Sequence, residues 1–231
     1  MADMRGILSS VLKGSAIEKE RITYVVCFPR SGHHALIGFL SRISDISGHY
    51  CEFYTCTRHN GNVIECPEMR KIWERKHFRC AAGNRILKNH DFNLELPYSS
   101  NDRFIVQYRH PFYSIKSWYE LEIKLGKPVG PWPDFLRGKI IFWISFVKKW
   151  VARHGAESNV LLVPYDSLAE RETIARIAGF SGFNNCDVNK LGDNYFKSFR
   201  QIEEGIGLDK SLESEVLDLL EQAGIAPLFH R

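Results

Sequence analysis

Residues 22 to 34 read ITYVVCFPRSGHH, and this stretch decides the fold. Its first seven residues are mostly β-branched or aromatic, which is typical of a buried strand. A helix is predicted to begin near Gly32, after the break at Pro29. Apolar residues then recur at helical spacing, at Leu36, Phe39, Leu40 and Ile43. A strand, a tight turn and a helix in this order predict an α/β protein.

The rest of the chain continues the alternation of strands and helices. Further strands are predicted at residues 85–88, 103–108 and 160–163. Further helices are predicted from Pro111 onward and at residues 135–154, 168–178 and 212–223, the last ending at Gly224. No repeat or linker divides the chain, so one domain of residues 1–231 is expected. The pattern predicts a central parallel sheet flanked by helices, with ligands at the C-terminal ends of the strands.

Composition narrows the class of protein. The formal net charge of the 231 residues is +4, and the basic residues are scattered, which disfavours a nucleic-acid partner and favours a small anionic ligand. No apolar run reaches the roughly 20 residues that cross a bilayer, and charges interrupt the first 20 residues where a signal peptide is apolar. A cytoplasmic protein without a membrane partner is therefore expected. The sequence does not indicate an oligomeric state.

Four of the six cysteines lie close together in the sequence, at Cys51, Cys56, Cys66 and Cys80. Three histidines accompany them, at His49, His59 and His77. No CxxC pair occurs, and the absence of a secretory signal disfavours a disulfide framework. Reduced thiols are the preferred interpretation; a disulfide or a metal site is the alternative, and no metal is expected.

The turn after the first strand has the features of an anion-binding site. A helix N-terminus offers backbone N–H groups and the positive end of its dipole, and Arg30 and Ser31 add side-chain donors. The GxxxxGK[ST] pattern is absent from the chain, which disfavours hydrolysis of ATP or GTP. An ordinary strand-to-helix turn with a polar tip is the alternative.

A second anion-binding pattern follows the strand at 103–108. Arg109 leaves the end of that strand, and Ser117 lies in the second turn of the helix that Pro111 opens. An arginine supplies a charged, bidentate fork and a serine adds a neutral donor, so both side chains can converge on one phosphate. The alternative is a strand-end arginine with an incidental serine.

These two patterns together resemble the cofactor motifs of sulfotransferases that use 3′-phosphoadenosine 5′-phosphosulfate (PAPS). PRSG is similar to the family's 5′-phosphosulfate loop, and R-x-P followed by a serine is similar to its 3′-phosphate motif. His33 and His34 stand where the family has a Thr-Thr pair, and Ala35 stands where many members have a tryptophan that stacks on adenine. The resemblance implies that residues 30–34 bind the 5′ end of the cofactor and that Arg109 and Ser117 bind the 3′-phosphate.

Lys88-Asn89-His90 resembles the K-x-H element that carries the catalytic base in many sulfotransferases. Histidine titrates near neutral pH and suits the removal of a proton from an acceptor hydroxyl. Strand alternation points Lys88 and His90 to one face, where Lys88 and Arg30 can stabilise the charge that develops as the sulfur–oxygen bond breaks. A surface histidine is the alternative reading of His90.

Two fainter similarities complete the resemblance. VLLVPYDSL at 160–168 is similar to a family strand followed by Y-E-D-L, which implies that Tyr165 approaches the adenine. Arg200, followed by Gly205 and Gly207, resembles the family's R-K-G-x-x-G segment and implies a further ligand of the 3′-phosphate, although the spacing differs.

The resemblance implies a fold related to the P-loop kinases and transfer of a sulfuryl group from PAPS to a hydroxyl or an amine. The expected acceptor is a small molecule or a carbohydrate, and the expected product is 3′-phosphoadenosine 5′-phosphate (PAP). Trp73, Trp118, Tyr119 and Trp132 are candidates to stack on such an acceptor, with core packing as the alternative. Two rival functions are a nucleotide-dependent phosphotransferase of related fold and a non-catalytic module that binds a nucleotide or a glycan.

Overall fold

A computed structural model describes residues 21–43, 50–51, 55–57, 63–65, 84–182, 186–192 and 210–225. The strands are β1 Thr23–Cys27, β2 Tyr50–Cys51, β3 Thr55–Thr57, β4 Val63–Glu65, β5 Ile86–Asn89, β6 Arg103–Tyr108 and β7 Val160–Pro164. The helices are α1 His33–Ile43, α2 Pro111–Lys124, α3 Trp132–Val147, α4 Arg171–Ser181 and α5 Lys210–Gln222. A π-helical segment, Lys148–Arg153, extends α3, and 3₁₀ turns lie at Tyr165–Ala169 and Val188–Lys190.

The strands form one sheet in the order β4-β3-β2-β5-β1-β6-β7. Five neighbouring strands pair in parallel, in the order β2, β5, β1, β6 and β7. The sheet is flanked by helices, which confirms the predicted α/β fold class. Two short strands, β3 and β4, add an antiparallel extension beyond β2 that the sequence did not predict.

Both faces of the sheet are covered, as expected for parallel strands. On one face, Val26 and Phe104 belong to a buried cluster with side chains from α2, α3 and α5. On the other face, Val25 and Ile105 belong to a second cluster with side chains from α1 and α4. All five residues of β1 are buried, which explains why the strand contains no charged residue.

Two predicted helices differ from the observed ones. The helix expected at residues 135–154 begins earlier, at Trp132, and changes at Lys148 into the π-helical segment. The continuous helix predicted at 168–178 is wrong, because Glu170 has extended φ and ψ angles of −104° and 127° that separate the 3₁₀ turn from α4. Helix α4 ends at Ser181, and the φ of 75° at the following Gly182 suits glycine at a helix C-terminus.

Parallel pairing brings the C-terminal ends of β1, β5, β6 and β7 to the same edge of the sheet. The loop at Arg30, the histidine at position 90, Arg109 and Tyr165 follow these four strands. The edge therefore carries the four motifs that the resemblance to sulfotransferases placed after these strands. Within the described ranges, no helix combines the length and the apolar character needed to span a bilayer. The single domain expected for residues 1–231 stays a prediction.

Candidate active site

The loop between β1 and α1 has an unusual backbone. Arg30 has a φ of 66° and Gly32 a φ of 88°, both in the left-handed region. Glycine adopts this conformation readily, whereas a residue with a side chain does so at a cost and is often found at a functional site. The Ser31 N–H donates to the Phe28 carbonyl at 3.1 Å, which closes the turn just before α1 begins at His33. The first N–H groups of α1 therefore emerge from a tightly turned loop, as in an anion-binding site.

Tyr165 connects this loop with the second predicted motif. A Cβ atom placed on Gly32 would lie 2.5 Å from two carbons of the Tyr165 ring, so only glycine fits there. On the same ring, the Arg109 guanidinium carbon lies 4.3 Å from the centroid, which is a cation–π contact. Tyr165 is only 6% exposed. It supports both the loop and the arginine, and its expected contact with adenine stays a prediction.

Arg109 and Ser117 lie where the sequence predicts. Arg109 follows β6, is buried, and accepts a hydrogen bond through its carbonyl from Trp143 Nε1 at 3.1 Å. Helix α2 begins at Pro111, as predicted, and brings Ser117 toward the first loop. Arg30 Nε donates to Ser117 Oγ at 3.1 Å, across 87 positions of sequence. The two predicted anion-binding motifs therefore meet.

Several buried polar atoms around the loop have no hydrogen-bond partner among the described residues. They are Ser31 Oγ, His33 Nδ1 and both amide atoms of Gln107. The Gln107 side chain is fully buried at the end of β6, and its Nε2 lies 3.2 Å from the position of a Cβ on Gly32. An unpaired buried polar group costs about 1–3 kcal/mol, so such a cluster fits a site that binds a polar ligand or water. These residues thus suit a phosphate-bearing cofactor.

Gln107 was missed by the sequence analysis. It is the single amide within an otherwise apolar and aromatic run, FIVQY at residues 104–108. A polar residue that breaks the apolar pattern of a central strand, two positions before Arg109, was the available signal.

Lys88 and His90 lie at the end of β5, beside the loop. Lys88 is 4% exposed, and His90 follows the last residue of the strand. The ring Nδ1 of His90 lies 2.7 Å from the carbonyl oxygen of Cys27, at the end of β1. Because a carbonyl oxygen only accepts, Nδ1 must donate and carry the proton. In the neutral ring, Nε2 is then the basic nitrogen.

His33 is a second histidine at this site. Its Nε2 lies 2.5 Å from the hydroxyl of Tyr50 in β2. Burial lowers the pKa of His33 well below its usual value, and the nearby Lys88, His90 and His34 lower it further. His33 is therefore neutral at physiological pH, and the four basic side chains form one group. His34 is exposed at the start of α1.

An aromatic cluster adjoins His90. The Phe92 ring centroid lies 5.2 Å from that of His90 and 6.0 Å from those of Trp118 and Phe142. Phe92 is 42% exposed, so the cluster offers an apolar surface beside the histidine. Of the aromatic residues predicted to contact an acceptor, Trp118 belongs to this cluster. Tyr119 and Trp132 pack against each other at 5.4 Å. Trp73 lies outside the described residues.

Some predictions fall outside the described residues. Arg200 does, as do Cys66 and Cys80. Cys51 is buried in β2, and its Cα is paired with that of Cys56 in β3. Across the residues that the structure describes, no three His, Cys, Asp or Glu side chains are grouped in a way that could hold a metal ion.

Comparison with known proteins identifies a structural relative. No protein-family model matches the chain, and no curated protein matches it. The mouse sulfotransferase SULT7A1 complexed with PAP is similar in structure, with a TM-score of 0.52 and 18% sequence identity over 79% of this chain. The match spans 64% of the length of the mouse chain. This chain therefore has an α/β fold similar to that of a sulfotransferase solved with PAP.

Proposed function

We propose that this protein is a PAPS-dependent sulfotransferase that acts on a hydroxyl or an amine of a small-molecule or carbohydrate acceptor. The observation that carries the proposal is the hydrogen bond from Arg30 to Ser117. It joins a loop that resembles a 5′-phosphosulfate site to a helix that resembles a 3′-phosphate site. A nucleotide that carries phosphate groups on the 5′ and the 3′ positions of its ribose needs two such sites close together.

The cofactor would be held at both ends. Arg30, Ser31 and Gly32 with the N-terminal residues of α1, His33 and His34, would bind the 5′-phosphosulfate. Arg109 and Ser117 would bind the 3′-phosphate, with Tyr165 supporting the guanidinium at 4.3 Å. The buried atoms of Ser31, His33 and Gln107 support this assignment, because they need polar partners. Arg200 is proposed as a further ligand of the 3′-phosphate on the resemblance alone.

His90 is proposed as the general base. When bound, PAPS supplies the sulfuryl group for an in-line displacement that releases PAP. The Cys27 carbonyl fixes the proton of His90 on Nδ1. Nε2 would then be the nitrogen that takes the proton of the acceptor. A base held in one tautomer and one orientation needs no rearrangement before it acts.

Lys88 and Arg30 are proposed to stabilise negative charge on the leaving phosphate. Lys88 is buried, so its ammonium acts in a poorly solvated environment where electrostatic interactions are stronger. His33, in contrast, is neutral because of burial and its basic neighbours, which lower its pKa. It would therefore contribute a polar contact rather than a charge.

Turnover of PAPS tests this proposal. The protein is incubated with PAPS and a panel of phenols, alcohols, amines and sugars, and the sulfated product and PAP are measured by mass spectrometry. We expect equal amounts of PAP and sulfated product from at least one acceptor. Thermal unfolding in the presence of PAP, or of ATP and magnesium, distinguishes the proposed sulfotransferase from the rival phosphotransferase. A rise in Tm with ATP and magnesium but none with PAP would favour a phosphotransferase.

A further inference from the structure

We infer that Asp91 positions His90 by anchoring the turn after β5 to the π-helical segment Lys148–Arg153. The inference rests on the proposed function, in which His90 is the base. Asp91 bonds through its carboxylate to Leu96, Lys149 and Trp150. It acts on the backbone that follows His90, and is therefore a positioning residue.

The backbone at Asp91 is tightly turned. Its φ is 46°, in the left-handed region that is costly for a residue with a side chain. Its N–H donates to Asn89 Oδ1 at 2.6 Å, and its carbonyl accepts from the Leu94 N–H at 2.8 Å. Leu94 is also left-handed, with a φ of 57°. Such a conformation persists only where surrounding contacts hold it.

The Asp91 carboxylate supplies those contacts. Its Oδ1 accepts from the Leu96 N–H at 2.7 Å, and its Oδ2 accepts from Lys149 Nζ at 2.6 Å and Trp150 Nε1 at 2.8 Å. Lys149 Nζ also donates to the carbonyls of Leu94 and Leu96, at 2.8 and 2.7 Å. One ammonium and one carboxylate thus hold residues 91 to 96 to a single helical segment. A buried polar network whose members are paired in this way is rigid.

The π-helical geometry explains how one oxygen receives both donors. Lys149 and Trp150 are consecutive, and a helix with more residues per turn separates consecutive side chains by a smaller rotation than an α-helix does. The Trp150 ring also packs on Phe104 in β6, an interior strand of the sheet, with centroids 5.2 Å apart. The anchor of Asp91 is therefore fixed to the core of the sheet. Short π-helical segments are frequent at functional sites.

Two anchors therefore hold His90 from different directions. The Cys27 carbonyl holds the ring through Nδ1, and the anchored Asp91 holds the next residue of the backbone. Without the carboxylate, the left-handed turn loses its hydrogen bonds from the Leu96 N–H, Lys149 and Trp150, and the ring would lose its alignment with Cys27. A buried ion pair is a weak source of stability compared with apolar side chains of similar size. Rigid placement of the turn is therefore the better explanation for the pair between Asp91 and Lys149.

The experiment compares Asp91→Asn and Trp150→Phe with the matched control Asp102→Asn. Asp102 also caps a backbone N–H, that of Ile22 at 3.3 Å, but at the opposite end of the strands. Nitrogen-15 NMR of the His90 ring reports its tautomer without any turnover, and loss of signals in His90→Asn assigns them. Calorimetry measures PAP affinity, and steady-state kinetics with PAPS measures kcat.

We expect wild-type His90 to show one tautomer protonated at Nδ1. In Asp91→Asn the ring should become an average of tautomers, and kcat should fall roughly 10- to 100-fold with PAP affinity nearly unchanged. Trp150→Phe should change the tautomer of the ring and kcat in the same direction but by less, because two of the three donors to the carboxylate remain. Asp102→Asn should leave the ring signals and kcat as in wild type.

Folded Asp91→Asn protein with wild-type His90 signals would overturn the inference, whatever its activity. If Asp91→Asn does not fold, wild-type signals in Trp150→Phe would overturn it equally. A protein that sulfates no acceptor, but whose His90 signals change in these variants, would contradict the proposed function and support the positioning of His90 by Asp91.

Discussion

Arg30 Nε and Ser117 Oγ lie 3.1 Å apart, although 87 positions separate them in sequence. Arg30 extends from the loop after β1, and Ser117 from the second turn of α2. The contact links the loop that we propose to bind the 5′-phosphosulfate of PAPS to the helix that we propose to bind its 3′-phosphate. Cofactor binding at either element should therefore depend on the other.

Replacing Arg109 with Ala should weaken PAP binding at least tenfold. The substitution removes a charge-assisted hydrogen-bonding group worth about 1.5–3 kcal/mol. Arg137→Ala is the matched control, because Arg137 pairs on the surface with Glu215 at 2.7 Å and lies outside the proposed site. Calorimetry with PAP should separate the two variants. Equal affinities for PAP would rule out the assignment of Arg109.

Replacing Gly32 with Ala should destabilise the protein and abolish PAP binding. The φ of 88° is strained for alanine, and the added Cβ would lie 2.5 Å from the Tyr165 ring. We expect a loss of about 1–3 kcal/mol in the free energy of unfolding, measured with urea. Gly138→Ala is the control, because Gly138 lies inside α3 with no atom within 4 Å of a new Cβ. That variant should be up to about 1 kcal/mol more stable. The site loop is wrongly described if Gly32→Ala is as stable as wild type.

Replacing His90 with Ala should lower kcat by roughly 10²- to 10⁴-fold and leave PAP affinity within a few-fold, as expected for a general base. His154→Ala is the control, because His154 stacks on Tyr98 at 4.3 Å and is not part of the proposed site. The competing base is His33 or His34. Retained activity in His90→Ala, with turnover lost in His33→Ala or His34→Ala at normal PAP affinity, would show that the base is misassigned.

His33 should make the protein less stable in mild acid. Its folded pKa lies well below the usual 6.5, mainly because of burial. Below about pH 6.5 the unfolded chain binds a proton on this histidine and the folded chain does not, so stability is full above that pH and declines as the pH falls toward the folded pKa.

The variant His33→Gln has no side chain at position 33 that binds a proton in this pH range, in either the folded or the unfolded state. Between about pH 7.5 and about pH 5.5, wild type should lose more unfolding free energy than the variant, because only wild type has a histidine at position 33 that takes up a proton on unfolding. Urea unfolding at the two pH values measures the difference. The same acid loss in both proteins would show that His33 is protonated in the fold.

The sequence predicted the fold well where local patterns determine it. The apolar run at 103–108 predicts β6 with its observed bounds, and Pro111 predicts the start of α2. The helix at 168–178 was mispredicted, because its apolar spacing is compatible with helix on both sides of Glu170 and does not reveal a break there. The antiparallel strands β3 and β4 are three residues each, too short for a periodic signal.

The positions of Arg30, Arg109 and Tyr165 after the ends of strands follow from the sequence, but their contacts do not. The bond between Arg30 and Ser117 and the stacking of Arg109 on Tyr165 depend on strand order, which local sequence does not encode. The contacts of Asp91 are not visible in the sequence, since its partner Lys149 lies 58 positions away. Polar residues that are buried through distant partners are recognisable only in the folded protein.

Calorimetric titration of wild-type protein with PAP and with adenosine 5′-monophosphate tests the central claim most directly. The two ligands differ by the 3′-phosphate, for which we propose the site at Arg109 and Ser117. PAP should bind at least tenfold more tightly, and that advantage should vanish in Arg109→Ala. Equal binding of the two nucleotides by wild type, or no binding of PAP, would contradict a site built for PAPS.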